Sequence, residues 1–153
     1  MPVLEAMTVP PARMVKALRD LADRDHLSEV VVVSTCLRSE VYAVASRFHG
    51  AMSDIRNFLS AWGGIPPDEF ADQLYSYYDE RAAAHLFRVA AGLDSAVLGE
   101  SEILGQVGEA WEAARAESVA GPVLSTLFRQ ALEVGKRVRS ETAIARGTFR
   151  SGT

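Results

Sequence analysis

Cys36 is the only cysteine among 153 residues. A single thiol excludes an internal disulfide and any multi-cysteine zinc site, and it fits a reducing cytoplasm. No apolar run reaches the ~18 residues of a membrane helix, and the N-terminus lacks the basic-then-apolar order of a secretion signal. No two of the 11 glycines lie two apart, so a dinucleotide-binding G-x-G-x-x-G is excluded. The phosphate-binding G-x-x-x-x-G-K-[ST] is absent too. Histidine, cysteine and carboxylate spacings give no metal site. Internal repeats and low-complexity segments are also lacking.

The sequence itself is of ordinary globular composition, 48% hydrophobic and 24% charged. Its length suits one domain, or one domain with a helical appendage. The net charge of −4 is unevenly spread. Residues 129–153 hold six cations (Arg129, Lys136, Arg137, Arg139, Arg146, Arg150) against Glu133 and Glu141, a net of +4, which leaves −8 for the first 128. A basic tail on an acidic body suits either a phosphate backbone or the solvated face of a helix.

Pro10-Pro11 opens a helix in which Met14, Ala17, Leu18 and Leu21 recur at helical spacing through Ala22. Residues 30–34 are β-branched and apolar, the pattern of a buried strand. A turn at 35–38 leads to an alternating second strand at 40–44. Met52, Ile55, Leu59 and Trp62 form one helical stripe between Gly50 and Gly63-Gly64. Pro66 to Glu69 predicts a short helical turn, and the aromatic 74–78 predicts a strand. Asp79 then caps a helix with Ala83, Leu86, Phe87 and Ala90 inward, ended by Gly92. A second helix carries Val107, Ala110, Trp111 and Ala114 and stops near Gly121-Pro122. A third, long one runs from Leu124 through Val138. The expected architecture is α+β: a split βαβ pattern lacking its first strand, followed by helices.

A lone cysteine beside Val30-Val-Val-Val33 is ordinarily a buried small hydrophobe. A nucleophilic cysteine needs a lowered pKa or a neighbouring base. Arg38 supplies a cation two residues away, on the same face if the segment is extended. His26 and His49 fall in predicted loops, as exposed residues. His85 falls early in a helix. The segment 91–106 places Asp94, Ser95, Glu100 and Gln106 among Gly92, Gly99 and Gly105, a glycine-rich connector through which the backbone can approach a ligand.

Three blocks carry a family resemblance. Ser34-Thr-Cys-Leu-Arg-Ser-Glu-Val-Tyr42 resembles the S-T-C-N-R-T-E-x-Y signature of glutamyl-tRNA reductase. The block from His85-Leu-Phe-Arg-Val to Ile103-Leu-Gly-Gln106 resembles the family's H-L-F-R-V-A-S-G-L-D-S-x-V-L-G-E-P-Q-I-L-G-Q. Gly135-Lys-Arg-Val-Arg-Ser-Glu-Thr142 resembles its A-K-R-V-R-x-E-T. The resemblance implies a ferredoxin-like α+β unit over 1–80 and a helical extension over 81–145, with 146–153 a divergent tail. It implies NADPH-dependent reduction of glutamyl-tRNA to glutamate-1-semialdehyde, for tetrapyrrole biosynthesis. Cys36 would form the thioester, with His85 as the second catalytic residue. Thr35, Leu37, Arg38, Ser95, Glu100, Ser101, Glu102 and Gln106 would contact substrate, Arg38 pairing with its carboxylate.

Several positions depart from that pattern. Leu37 replaces asparagine, Ser101-Glu102 replaces Pro-Gln, and the family's G-x-N-H-[KR]-T-A-P first strand has no counterpart. The NADPH-binding and dimerisation domains are expected to be absent, so the nicotinamide would come from elsewhere. Expected partners are glutamyl-tRNA, the aminomutase that follows in the pathway, or a full-length reductase subunit, in the cytoplasm and without membrane attachment. Two rival readings stand beside this one: a non-reducing relative that binds glutamyl-tRNA or a protein, and an inactive fragment.

Overall fold

Two prolines set the entry into the first helix. Pro10 is extended, Pro11–Arg13 forms a 3-10 turn, and Arg13 N–H donates to the Pro10 carbonyl at 2.9 Å. The computed structural model describes residues 9–34, 39–64, 79–92 and 100–151, apart from the side chains of 100, 101, 139 and 142–151. The elements that follow are α1 (Met14–Ala22), β1 (Leu27–Ser34), β2 (Ser39–Ala45), α2 (Phe48–Gly63), α3 (Glu80–Ala90), α4 (Glu100–Ala116) and α5 (Pro122–Ser151).

β1 and β2 form an antiparallel ladder from Leu27↔Ala45 to Ser34↔Ser39, irregular between Leu27 and Glu29. Val30, Val31, Val32 and Val33 are all buried. Successive strand residues point to opposite faces, so four buried in a row require cover on both. α1 and α4 pack most extensively on β1, and α5 packs on α3 and α4 and also touches both strands. The shared core holds Leu18 and Leu21 of α1, Phe58 of α2, Leu86 of α3, Val107 of α4 and Phe128 of α5. Each fully buried side chain of this kind contributes about 1.5–3 kcal/mol.

Two contacts fix where α5 lies. Glu29 of β1 reaches its N-terminus, where the Leu124 N–H donates to Oε1 at 2.8 Å and the Val123 N–H to Oε2 at 3.3 Å. A carboxylate there satisfies orphan amides and complements the helix dipole. Further along, Gly135 passes against the end of α3. A Cβ at 135 would stand 2.7 Å from the Ala90 carbonyl oxygen and 2.9 Å from Leu104 Cδ1, so only glycine permits this approach.

The α+β architecture, the buried strand, its hairpin partner and the helices are as expected. The strand at 74–78, the turns at 35–38 and 66–69, and the N-terminal segment 1–8 lie outside the described residues. Other expectations are corrected. β1 begins three residues earlier, at Leu27, and α2 begins at Phe48, ahead of Gly50. His49 is therefore helical, though exposed. His26 is only half-exposed, since its Nδ1 lies 3.1 Å from Asp54 Oδ2, and the same oxygen accepts its backbone N–H. Asp79 stands at the N-cap of α3 but its side chain makes no capping bond. Its carbonyl accepts instead from Ala82 and Ala83, at φ 54°. Residues 100–106 are no connector: they are the first two turns of α4. The last helix runs to Ser151, into residues 146–153, whose divergence from the family pattern is one of sequence and is untouched by this helix.

Candidate active site

Ser34 and Ser39 close the β1–β2 ladder, with their hydroxyl oxygens 3.1 Å apart. The Val9 backbone N–H donates to Ser34 Oγ at 2.9 Å, which ties the segment before α1 to this end of the hairpin. Between the two serines run Thr35, Cys36, Leu37 and Arg38, which lie outside the described residues, as does Ser95.

Glu40 and Tyr42 occupy alternate positions of β2 and so share one face. The Tyr42 hydroxyl donates to Glu40 Oε1 at 2.6 Å. The other carboxylate oxygen, Oε2, lies 2.8 Å from Nε2 of His85 on α3. Both partners of that pair are largely shielded, with side-chain exposures of 17% for His85 and 16% for Glu40. An ionised carboxylate can only accept, so this geometry puts a proton on Nε2. Phe128 of α5 meets the Tyr42 ring edge-on, with centroids 5.3 Å apart and planes at 87°.

The sequence-predicted residues are thus brought together unequally. His85 stands against β2 and next in space to a residue of the first motif. Glu102 is exposed on the first turn of α4. Gln106, one turn on, has its Oε1 buried with no hydrogen-bond partner among the described residues. Such an acceptor costs about 1–3 kcal/mol unless a ligand or water meets it. For Glu100 and Ser101 only the backbone is described, at the start of α4. Glu40 and Tyr42 were not singled out from the sequence, although both lie in the first motif. Their spacing of two on a strand was the available signal. Among the described residues, no three metal-binding side chains converge and no helix is long and apolar enough to cross a membrane.

A family model described as the N-terminal domain of glutamyl-tRNA(Glu) reductase matches residues 1–142. The chain belongs to this family. The glutamyl-tRNA reductase of Frankia casuarinae is 49% identical over 142 residues, covering 93% of this chain and 30% of its own length. That of Salinispora arenicola is 48% identical over 143 residues, 94% of this chain and 31% of the relative. The solved glutamyl-tRNA reductase from Methanopyrus kandleri superposes with a TM-score of 0.70 at 34% identity, over 91% of this chain and 31% of that one. The chain therefore spans under a third of the length of these reductases. The His85–Glu40 pair joins two of the three blocks by which the glutamyl-tRNA reductase resemblance is read.

The described residues do not fit a nicotinamide dinucleotide. Such a cofactor needs a strand, a glycine-rich turn and a helix that together receive its pyrophosphate. Here the described sheet has two antiparallel strands joined as a hairpin, and neither strand feeds a helix through such a turn.

Proposed function

We propose that this chain carries out the acyl-transfer half of glutamyl-tRNA reduction. The Cys36 thiolate attacks the carbonyl carbon of the glutamyl ester. A sulfur–carbon bond forms, the bond from that carbon to the ribose oxygen of the tRNA breaks, and a glutamyl thioester remains on Cys36. His85 takes the thiol proton and returns it to the departing ribose oxygen, so that tRNA leaves with its hydroxyl restored. Arg38 holds the side-chain carboxylate of the glutamyl group, for which its planar fork is suited. Thr35, Leu37, Ser95, Glu100, Ser101 and Glu102 complete the substrate contacts, and the unmet Gln106 Oε1 accepts from the substrate's ammonium. Reduction to the aldehyde draws its hydride from NADPH bound outside this chain, in the family's cytoplasmic tetrapyrrole pathway. The aldehyde then passes to the aminomutase, or the chain works beside a full-length reductase subunit.

One observation carries this reading: the shielded pair of His85 on α3 and Glu40 on β2, the latter four residues along the chain from Cys36. Cys36 is two residues from Ser34, so its Cα stays within about 7 Å of the ladder's end. A histidine oriented by a carboxylate near a lone thiol is the arrangement that activates a nucleophile.

The test is incubation of the chain with labelled glutamyl-tRNA, rapid acid trapping, and mass spectrometry of the Cys36 peptide. A glutamyl adduct that vanishes in Cys36→Ser is the expected result. Salt-sensitive tRNA binding without an adduct would assign the chain instead as a binding relative, acting through the exposed Arg129, Lys136 and Arg137 of α5. Neither signal would leave an inactive fragment.

A further inference from the structure

We propose that Tyr42 is a positioning residue for His85, acting through Glu40; its catalytic consequence rests on the acyl-transfer reading above. A glutamate side chain has two equivalent oxygens and three rotatable bonds, and a contact on one oxygen constrains the carboxylate plane less than a contact on each. Tyr42 supplies a contact on the oxygen that does not face His85. Its hydroxyl holds Oε1 at 2.6 Å, which turns Oε2 toward His85 Nε2 at 2.8 Å. Tyr42 is itself anchored twice. Its backbone is paired with Val31 in the ladder, and its ring packs edge-on against Phe128 of α5. It is 8% exposed, and Phe128 is fully buried. The hydroxyl therefore sits on a rigid support, as a group must if it is to orient another.

The chemical consequence is a single imidazole tautomer. With Glu40 held as an acceptor, neutral His85 keeps its proton on Nε2 and its lone pair on Nδ1. A proton-transferring histidine fixed in one tautomer is in the correct form at every encounter, whereas a ring that shuttles between tautomers is competent for part of the time. A tyrosine that only filled the core would do this work equally well as phenylalanine.

Tyr42→Phe removes the hydroxyl and keeps the ring, so it separates the two roles. In the 153-residue chain, long-range proton–nitrogen NMR correlations of His85, recorded at a pH where imidazole is neutral, report the tautomer directly. The wild type is expected to show the Nε2–H form alone and Tyr42→Phe a mixture. Cys36 acylation at saturating glutamyl-tRNA is expected to slow roughly tenfold, with the half-saturating concentration changed less than about twofold. In a His85→Ala background the same substitution is expected to slow it no further, because residues acting as a unit are not additive. Wild-type acylation by Tyr42→Phe, an unchanged tautomer, or a full additional loss in the His85→Ala background would each overturn the proposal. Failure of the wild type to acylate would instead overturn the acyl-transfer reading, and the tautomer measurement alone would then decide whether Tyr42 positions His85.

Discussion

His85 and Glu40 are 45 residues apart in sequence, and their side chains meet at 2.8 Å. The contact joins α3 to β2, the strand that follows the chain's only cysteine in sequence. Glu40 accepts there from two donors at once, Tyr42 and His85.

That double acceptance makes Glu40→Gln an informative change. An amide keeps the shape but has one acceptor oxygen, so it can serve Tyr42 or His85 and must turn its NH2 toward the other. Cys36 acylation is expected to fall about tenfold or more, with a loss of stability of about 1–2 kcal/mol. Single-turnover adduct formation and urea unfolding on the same sample check both.

Gly135→Ala should destabilise the chain even though alanine is the better helix former. The propensity gain is about 1 kcal/mol in a helix interior. Against it, the new methyl would stand 2.7 Å from the backbone oxygen of Ala90, which cannot swing aside as a side chain can. Forcing α5 away from α3 costs typically about 1–3 kcal/mol, so a lower urea midpoint at an unchanged slope is expected.

Removing the carboxylate of Glu29 should fray the start of α5. Glu29→Ala takes away the acceptor of the Val123 and Leu124 amides, a change worth about 0.5–2 kcal/mol by analogy with N-cap truncations. Faster amide hydrogen exchange at 123 and 124, ahead of any change in the middle of the helix, is the expected signature.

NADPH is expected not to bind this chain. Titration calorimetry should show no saturable heat, and adding NADPH should leave the yield of Cys36 adduct unchanged. Saturable binding would contradict the separation of acyl transfer from hydride transfer.

Much of the architecture was legible in the residues because local rules and tertiary packing agree there. Four consecutive β-branched valines in a short run favour a strand covered on both faces, and the alternation after Ser39 gives it a partner. α4 shows where the rules diverge. Gly92, Gly99 and Gly105 made residues 91–106 resemble a connector, and Gly105 and Gly108 disfavour a helix, yet a helix starts at Glu100 and buries Ile103 and Val107 in the core. Packing outweighed a propensity cost of about 1 kcal/mol per glycine. Asp79 is a second case, since its carbonyl rather than its side chain meets the first amides of α3.

The sequence by itself determined the α+β character, the hairpin around Cys36 and the family, because periodicity and motif order are properties of the chain alone. It also named His85. Only the tertiary structure decided what His85 touches, since Glu40, held by Tyr42, reaches it across a fold that sets α3 beside β2. A pairing between residues 45 positions apart depends on how helices and strands pack. No local spacing encodes it.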